Sequence, residues 1–468
     1  MSEKALEMEA AAAAPAPAEA APAPAEAAQA RLAYEDVLRG RDRLRIREIR
    51  AARRPLRLLW LLAGPGVLVM LGENDGPSMV SYATTGATYG IGFFVPFILL
   101  TFVMAFLVQE MTVRLGVATH RGHSELIFQR FGPFWGYFAM GDLVVGNLLT
   151  LVTEFIAIQA GGLYFGLPPW LSVAIGVALV LGALAFRRYA TWERALMGLA
   201  AFNLLFVPAA LLAHPDGAAL VHALATWGPL PGGMGTAFLT LVLADVGATV
   251  TPWMIFFQQS AVVDKGLTRA DLPQGRMDTA IGAGLAAVAA IATVVATAPL
   301  FAAHVDVSQF ASGADFATAL RPLIGDAGAT LFALGIVEAG LVAAMTISTS
   351  SSYSLAEAFS ARHSLNLDFA HGRLFYGAAI GSTLLAAAIV LIPGAPLLAM
   401  TLTVNVIATL LMAPALLLLL LLANDREIMG DLANGRWANA AGGTIVVAIA
   451  LMGSLYGLVT AFPTLLGR

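Results

Sequence analysis

From residue 58 onward, long apolar runs alternate with short polar and charged segments. A helix of about 20 residues crosses a hydrocarbon core of about 30 Å. Eleven runs meet that length, over 58–84, 90–113, 134–163, 169–186, 195–213, 235–260, 279–303, 328–351, 373–393, 397–422 and 438–461. Ahead of them, residues 1–34 are rich in Ala, Pro and Glu, with no apolar periodicity. Such a segment buries too little surface to offset its ordering entropy and reads as a disordered cytoplasmic tail. It lacks the short apolar core and small-residue cleavage site of a signal peptide. Residues 35–57 form a basic leader in which Arg alternates with Leu and Ile, suited to anionic headgroups.

The polar segments test the count, because cytoplasmic loops collect Lys and Arg. Outside the tail and leader, the cations follow the even-numbered spans: Arg114, Arg121 and Arg130; Arg187, Arg188 and Arg194; Lys265, Arg269 and Arg276; Arg362 and Arg373; Arg426 and Arg436. Of 26 Lys and Arg, only Arg321 and Arg468 fall on the other side. The expectation is a multi-pass protein of the cytoplasmic membrane, with its N-terminus inside and its C-terminus outside. Five spans per half then invert the second half: 58–213 is a first repeat, 235–422 an inverted second repeat, and 438–461 an eleventh span. The predicted fold class is an all-α membrane protein with a five-plus-five inverted repeat.

Composition narrows the chemistry. The chain is 59% hydrophobic and 12% charged, about half the charge of a soluble domain, so lipid is an expected partner. A net charge of −4 without concentrated positive charge argues against nucleic acid. With no cysteine, disulfides, thiolate metal sites and cysteine nucleophiles are excluded.

Inverted-repeat carriers bind substrate near the midplane, where one span of each repeat is broken. Two interruptions occupy corresponding places: Gly72-Glu73-Asn74-Asp75-Gly76-Pro77-Ser78 in the first span and Gly247-Ala248-Thr249-Val250-Thr251-Pro252 in the sixth. Proline and glycine there free backbone carbonyls, tolerable at membrane depth only around an enclosed cavity. Freed carbonyls beside a carboxylate make a cation site. Asp75 is the leading candidate because an intramembrane carboxylate is costly; capping of the following half-helix is its alternative role. Glu73 and Asn74 point to other faces, so one of them could support the broken backbone. Ser78 and Thr251 offer hydroxyls, which also commonly bond back to their own helix.

Elsewhere, Asn147, Thr150 and Glu154 form one polar stripe on the third span, read either as a proton or hydration path or as an interhelical hydrogen-bond network. Asp245, Glu338 and Asn405 are further polar residues inside spans. His120, His123 and Glu125 lack the H-E-x-x-H spacing of a metallohydrolase and fall in a basic segment, so a solvated loop is expected. The run Thr346 to Ser354 has no in-span histidine to serve as base, so helix packing is expected instead of a nucleophile.

The stretches GPGVLVMLGENDGPSMVSYATTGATYG, VQEMTVRLGVATHRGHSELI and GATVTPWMIFFQQSAVV together resemble the natural resistance-associated macrophage protein (NRAMP) family of divalent metal transporters, from about Pro55 to Gly430. The resemblance implies the same five-plus-five fold. The family's Asp-Pro-Gly-Asn is matched by Asp75-Gly76-Pro77-Ser78, so the ligand aspartate is kept and the asparagine becomes Ser78. Its Ala-x-x-Met-Pro-His is matched by Ala248-Thr249-Val250-Thr251-Pro252-Trp253, replacing a thioether with a hydroxyl and a histidine with an indole. Thioethers favour soft ions, whereas oxygen donors suit Mg²⁺, Mn²⁺ or Ca²⁺, and the altered site resembles the NRAMP-related branch associated with magnesium and manganese. The resemblance also implies a proton route through third-span acids and the sixth-span histidine. Glu154 matches one acid, but Leu151 stands at the other position and Trp253 carries no proton, so coupling is expected to be weak, unless Glu73, Asp245 or Glu338 substitutes.

The expected ion ligands are Asp75, Ser78, Thr251, the carbonyls of Gly72 and Ala248, and Asn405, with Glu154, Asn147, Glu73, Asp245 and Glu338 as the proton or hydration path. The ion is cargo, and no cofactor is expected. An organic-solute or amino-acid carrier of the same fold is the alternative, opposed by the fixed anion at Asp75. A membrane enzyme is disfavoured by the lack of a histidine-containing constellation within the spans.

Overall fold

The computed structural model describes residues 44, 46, 48, 49, 51, 52, 61–186, 188–229 and 235–461. The tail 1–34 and most of the basic leader lie outside the described residues. Among the described residues there is no strand. The helices, in order, are α1 (Pro65–Glu73), α2 (Gly76–Tyr89), α3 (Phe94–Thr119), α4 (His123–Phe131), α5 (Pro133–Tyr164), α6 (Pro169–Ala183), α7 (Tyr189–Ala200), α8 (Phe206–Leu212) and α9 (Gly217–Thr226). They continue with α10 (Thr236–Gly247), α11 (Pro252–Asp264), α12 (Leu272–Ala302), α13 (Gly313–Ala358), α14 (Arg373–Val390), α15 (Leu397–Asn424), α16 (Arg426–Met429) and α17 (Arg436–Ala461).

Ten helical stretches among the described residues are long and apolar enough to cross a membrane. The segment read as the first span is divided between α1 and α2, each too short to cross alone. The fifth crossing starts at Tyr189, earlier than its apolar run, and passes through a 3₁₀ turn at Ala201–Leu205 into α8. The eighth is longer than predicted: α13 runs back to Gly313 and kinks at Gly325, whose φ of 76° suits glycine.

Large apolar side chains lie outside and carboxylates lie inside. Leu99, Val103, Trp170, Leu211, Leu417 and Leu451 are exposed, while Glu73, Asp75, Glu154, Asp245 and Glu338 are buried. Close packing relies on small residues: a Cβ on Gly340 would stand 2.8 Å from the carbonyl oxygen of Glu154.

Contacts between loops show which ends of the crossings lie together. Lys265 pairs with Glu193 at 2.8 Å, Tyr189 N–H donates to Asn366 at 3.0 Å, and Ser364 donates to Asp264 at 2.6 Å. Arg130 pairs with Glu427 and Asp425, and Arg276 with Glu110. These contacts join the segments after the second, fourth, sixth, eighth and tenth predicted spans on one face, where the cations gather. At the opposite end, Phe93 N–H donates to the Pro229 carbonyl, Leu398 N–H donates to the Ala311 carbonyl, and Arg321 meets Tyr164. Chain direction therefore alternates as the Arg and Lys pattern predicts.

Candidate functional site

Both predicted breaks occur, and local chemistry explains each. In the first, α1 ends at Glu73 and α2 starts at Gly76. Asp75 caps α2, its Oδ1 accepting the Ser78 N–H at 2.8 Å, and Pro77 suits the first turn because its missing N–H has no helical partner there. Gly76 N–H, which would continue α1 by bonding Gly72, instead donates to Glu154 Oε2 at 2.9 Å. The Gly72 carbonyl is thereby released from the helical ladder. A Cβ on Gly76 would stand 2.2 Å from that of Ala157, so only glycine allows α2 to begin this close to α5.

In the second break, α10 ends at Gly247 and α11 starts at Pro252. Thr251 occupies the capping position of α11 without capping it. Its hydroxyl crosses to the other break and donates to Glu73 Oε2 at 2.7 Å. The two interruptions therefore meet through Glu73 and Thr251, with Asp75 beside them. Glu73, Asp75 and Glu154 each have one oxygen bonded at the first break, and Glu73 Oε1, Glu154 Oε1 and Ser78 Oγ are buried without a hydrogen-bond partner. Asp75 is 1% exposed and Thr251 3%. The site is closed to both faces.

The other predicted residues divide by what they touch. The Ala248 carbonyl accepts from the Tyr82 hydroxyl at 2.8 Å. Asn405 stands beside the second break: a Cβ on Gly247 would lie 1.9 Å from its backbone oxygen, and its Nδ2 has no partner. Asn147 donates to Ser351 at 2.9 Å and Thr150 bonds its own helix, so within that stripe only Glu154 reaches the break. Asp245 accepts from Ser81 at 2.7 Å and Thr85 at 2.9 Å, joining α10 to α2. Glu338 lies 3.5 Å from Asn203 Nδ2. In the Ser/Thr run, Ser348, Thr349, Ser351 and Ser352 bond back to their own helix, and Ser350 donates to the Trp253 carbonyl.

One expectation is corrected. His120 and Arg121 are exposed, but His123 and Ser124 are buried. The short amphipathic helix α4 folds inward, and the His123 ring packs edge-on against Phe256 of α11 at 4.7 Å. The segment is not a uniformly solvated loop.

Asn74 supports the broken backbone, as one of its two expected roles, and two further supporting residues, Asn203 and Asp278, were not singled out from sequence. Asn74 and Asn203 bond reciprocally at 3.0 Å, and Asn74 also donates to the Ala286 carbonyl, fixing the end of α1. Asp278 accepts the N–H groups of Gly64, Gly66 and Val67 at the start of α1. Asn203 is a lone amide in the apolar run AFNLLF, and that isolation was the available signal.

Among the described residues no three acidic or histidine side chains group to hold a metal ion. The breaks present the Asp75 and Glu73 carboxylates, with Glu154 held by the Gly76 N–H, together with hydroxyls and a released carbonyl, a donor set that fits an ion keeping part of its water shell.

Two discontinuous helices meeting at a buried polar centre define the broken-helix transporter class. A family model described as natural resistance-associated macrophage protein-like matches residues 66–460, and the chain belongs to that family. The membrane-enzyme reading is thereby set aside. A "Divalent metal cation transporter MntH" from Pectobacterium carotovorum subsp. carotovorum (strain PC1) is 28% identical over 411 residues, covering 83% of this chain and 92% of that protein. The fold matches a crystal structure of a manganese transporter from Eremococcus coleocola, with a TM-score of 0.69, 20% identity, and coverage of 86% of this chain and 87% of that one. MhsT in complex with L-phenylalanine shares it at a TM-score of 0.58 and 15% identity, over 84% of this chain and 97% of MhsT.

Proposed function

We propose that the chain carries a divalent metal cation, Mg²⁺ or Mn²⁺ in preference to soft transition metals, across the cytoplasmic membrane, and that the ion is held between the two breaks. The observation that carries this reading is the 2.7 Å bond from Thr251 to Glu73 beside Asp75, which draws the two breaks together around oxygen donors. The relatives named for divalent cations and manganese support the cargo class. Asp75, Ser78, Thr251, the carbonyls of Gly72 and Ala248, and Asn405 supply the ligands. A set of oxygen donors favours hard cations, and Mg²⁺ retains several waters in such sites. A carrier of organic carboxylates is less suited, since Asp75 would repel the substrate.

Access alternates as two ties release in turn. On the outer side, Asp245 joins α10 to α2 through Ser81 and Thr85. On the inner side, Lys265 holds the Ala63 carbonyl and Glu193, both at 2.8 Å. The N-terminus lies in the cytoplasm and the C-terminus outside, with 58–213 and 235–422 as the repeats and 438–461 as the added eleventh span. Trp253 offers no protonatable group where the family has histidine, and one Glu154 oxygen is occupied by Gly76, so ion movement is at most weakly coupled to protons. Uptake of Mn²⁺ and Mg²⁺ into liposomes, recorded together with internal pH, tests both parts. Unchanged uptake by Asp75→Asn would overturn the site, and strict proton co-transport would overturn weak coupling.

A further inference from the structure

Away from the two breaks, α1, α7 and α12 border a groove of about 660 Å³. Val67 and Leu71 of α1, Met197 of α7, Leu204 of the 3₁₀ turn, and Ile281 and Leu285 of α12 line it. Its floor is buried, with Leu71 3% exposed, whereas Ile281 is 44% exposed and Gly198 of α7 is exposed as well. The groove therefore opens sideways, between two crossings, onto the surface that meets lipid. A Cβ on Gly198 would meet nothing within 4 Å, so the backbone there leaves room for a bound group.

The two ends differ. At one, beside the pair of Lys265 with Glu193 and on the face that gathers the cations, lies Arg194. From Arg194 to Leu204 the chain climbs about 15 Å at 1.5 Å per residue, half of a hydrocarbon core of about 30 Å. The groove thus runs the depth of one leaflet, from headgroup level to midplane. The carboxylates at its mouth are engaged: Glu193 by Lys265 and by the Tyr189 hydroxyl at 2.9 Å, and Asp278 by three backbone N–H groups. Arg194 is exposed and, among the described residues, makes no hydrogen bond or ion pair. In the sequence, Arg53, Arg54 and Arg57 come within eight residues of Leu61, which also borders the groove. An apolar trough one leaflet deep, with a guanidinium at its headgroup end, matches a phospholipid whose chain lies in the trough and whose phosphate meets the guanidinium.

We propose that this groove binds the acyl chain of an anionic phospholipid of that leaflet, with Arg194 holding the phosphate. A zwitterionic headgroup carries its own cation and gains less from Arg194. The bound chain packs on Val67 and on Leu71, the neighbour of Gly72, and seats α1 against α7 and α12.

The test uses the full chain in lipid nanodiscs, with a phosphatidylglycerol that bears a photoactivatable diazirine on its acyl chain. Cross-linked peptides are mapped by mass spectrometry. Cross-links are expected on 193–204 and 278–285. Unlabelled phosphatidylglycerol displaces them about fivefold more effectively than phosphatidylethanolamine, the ratio expected of one cation near the surface. Arg194→Gln abolishes that preference. Gly198→Leu fills the groove, removing these cross-links while sparing those at Leu417 and Leu451, which are exposed elsewhere on the lipid-facing surface. If Gly198→Leu does not fold, Arg194→Gln, at an exposed position, still decides. Labelling of the groove with no preference for phosphatidylglycerol, a preference that survives Arg194→Gln, or cross-links that persist in Gly198→Leu would mean bulk lipid only and overturn the site. Absence of cross-links on both segments, as when the chain's own residues cover the groove, overturns it too. None of these readouts depends on transport.

Discussion

The two breaks do different work although they occupy equivalent places. The first is short and charged: Asn74 and Asp75 alone separate α1 from α2, and Glu73, Asp75 and the approaching Glu154 bring three carboxylates to it. The second spans Ala248 to Thr251 and has no ionisable side chain, its two hydroxyls and the Ala248 carbonyl being bonded to neighbours: Tyr82 to Ala248, Thr101 to Thr249, Thr251 to Glu73. Charge that attracts a cation therefore comes from one repeat, and the neutral donors that select among cations come from the other. Their single direct side-chain link described here, Thr251 to Glu73, ties selection to attraction.

Asp75→Asn strikes the charged break and should have the largest effect. Removing a buried charge partner costs about 3 kcal/mol, or roughly a hundredfold in ion affinity, readable as the half-saturation concentration of Mn²⁺ uptake. Gly247→Ala strikes the neutral break through packing. Its Cβ would lie 1.9 Å from the Asn405 oxygen, and overpacking of this kind costs about 1–3 kcal/mol, so a lower thermal midpoint of the purified protein is expected, with reduced uptake. Thr251→Ala cuts the link, leaving Glu73 Oε2 unpaired. Loss of a hydrogen bond to a charged group costs about 1.5–3 kcal/mol, and the comparison is sharpened if this variant also loses discrimination between Mg²⁺ and Ca²⁺ while Asp75→Asn weakens both alike. Thr249→Val should be smallest, about 1 kcal/mol of stability, because its hydroxyl bonds only neutral groups, the Asp245 carbonyl and the Tyr82 and Thr101 hydroxyls. Uptake affinity close to that of the parent is expected there, and a large loss would mean that the neutral break binds the ion more directly than proposed.

The breaks were legible because Pro77 and Pro252 announce helix starts inside apolar runs, and the alternating direction was legible because Arg and Lys cluster after every second run. What escaped depends on distant segments meeting. Nothing local tells that Asn203 grips Asn74 or that Asp278 caps α1, since each pair is separated by more than a hundred residues. His123 was misread because its neighbour Arg121 is solvated, whereas burial of His123 is decided by α11 and α13, far along the chain. The assignment of Asn147 and Thr150 was open between path and packing, and their hydrogen bonds to Ser351 and Gly146 favour packing. The positions of Asp75 and Thr251 at the two breaks were legible from the Gly and Pro beside them, whereas the bond between Thr251 and Glu73 depends on segments 178 residues apart.

The central claim is that an oxygen-donor site, with charge from one break and neutral donors from the other, selects a hard divalent cation. Uptake by the purified full-length protein in liposomes, measured side by side for Mg²⁺, Mn²⁺, Ca²⁺, Fe²⁺, Zn²⁺ and Cd²⁺, tests it most directly. Preference for Mg²⁺ or Mn²⁺ over Zn²⁺ and Cd²⁺ is the predicted result; strong preference for Cd²⁺ or Zn²⁺ would contradict it.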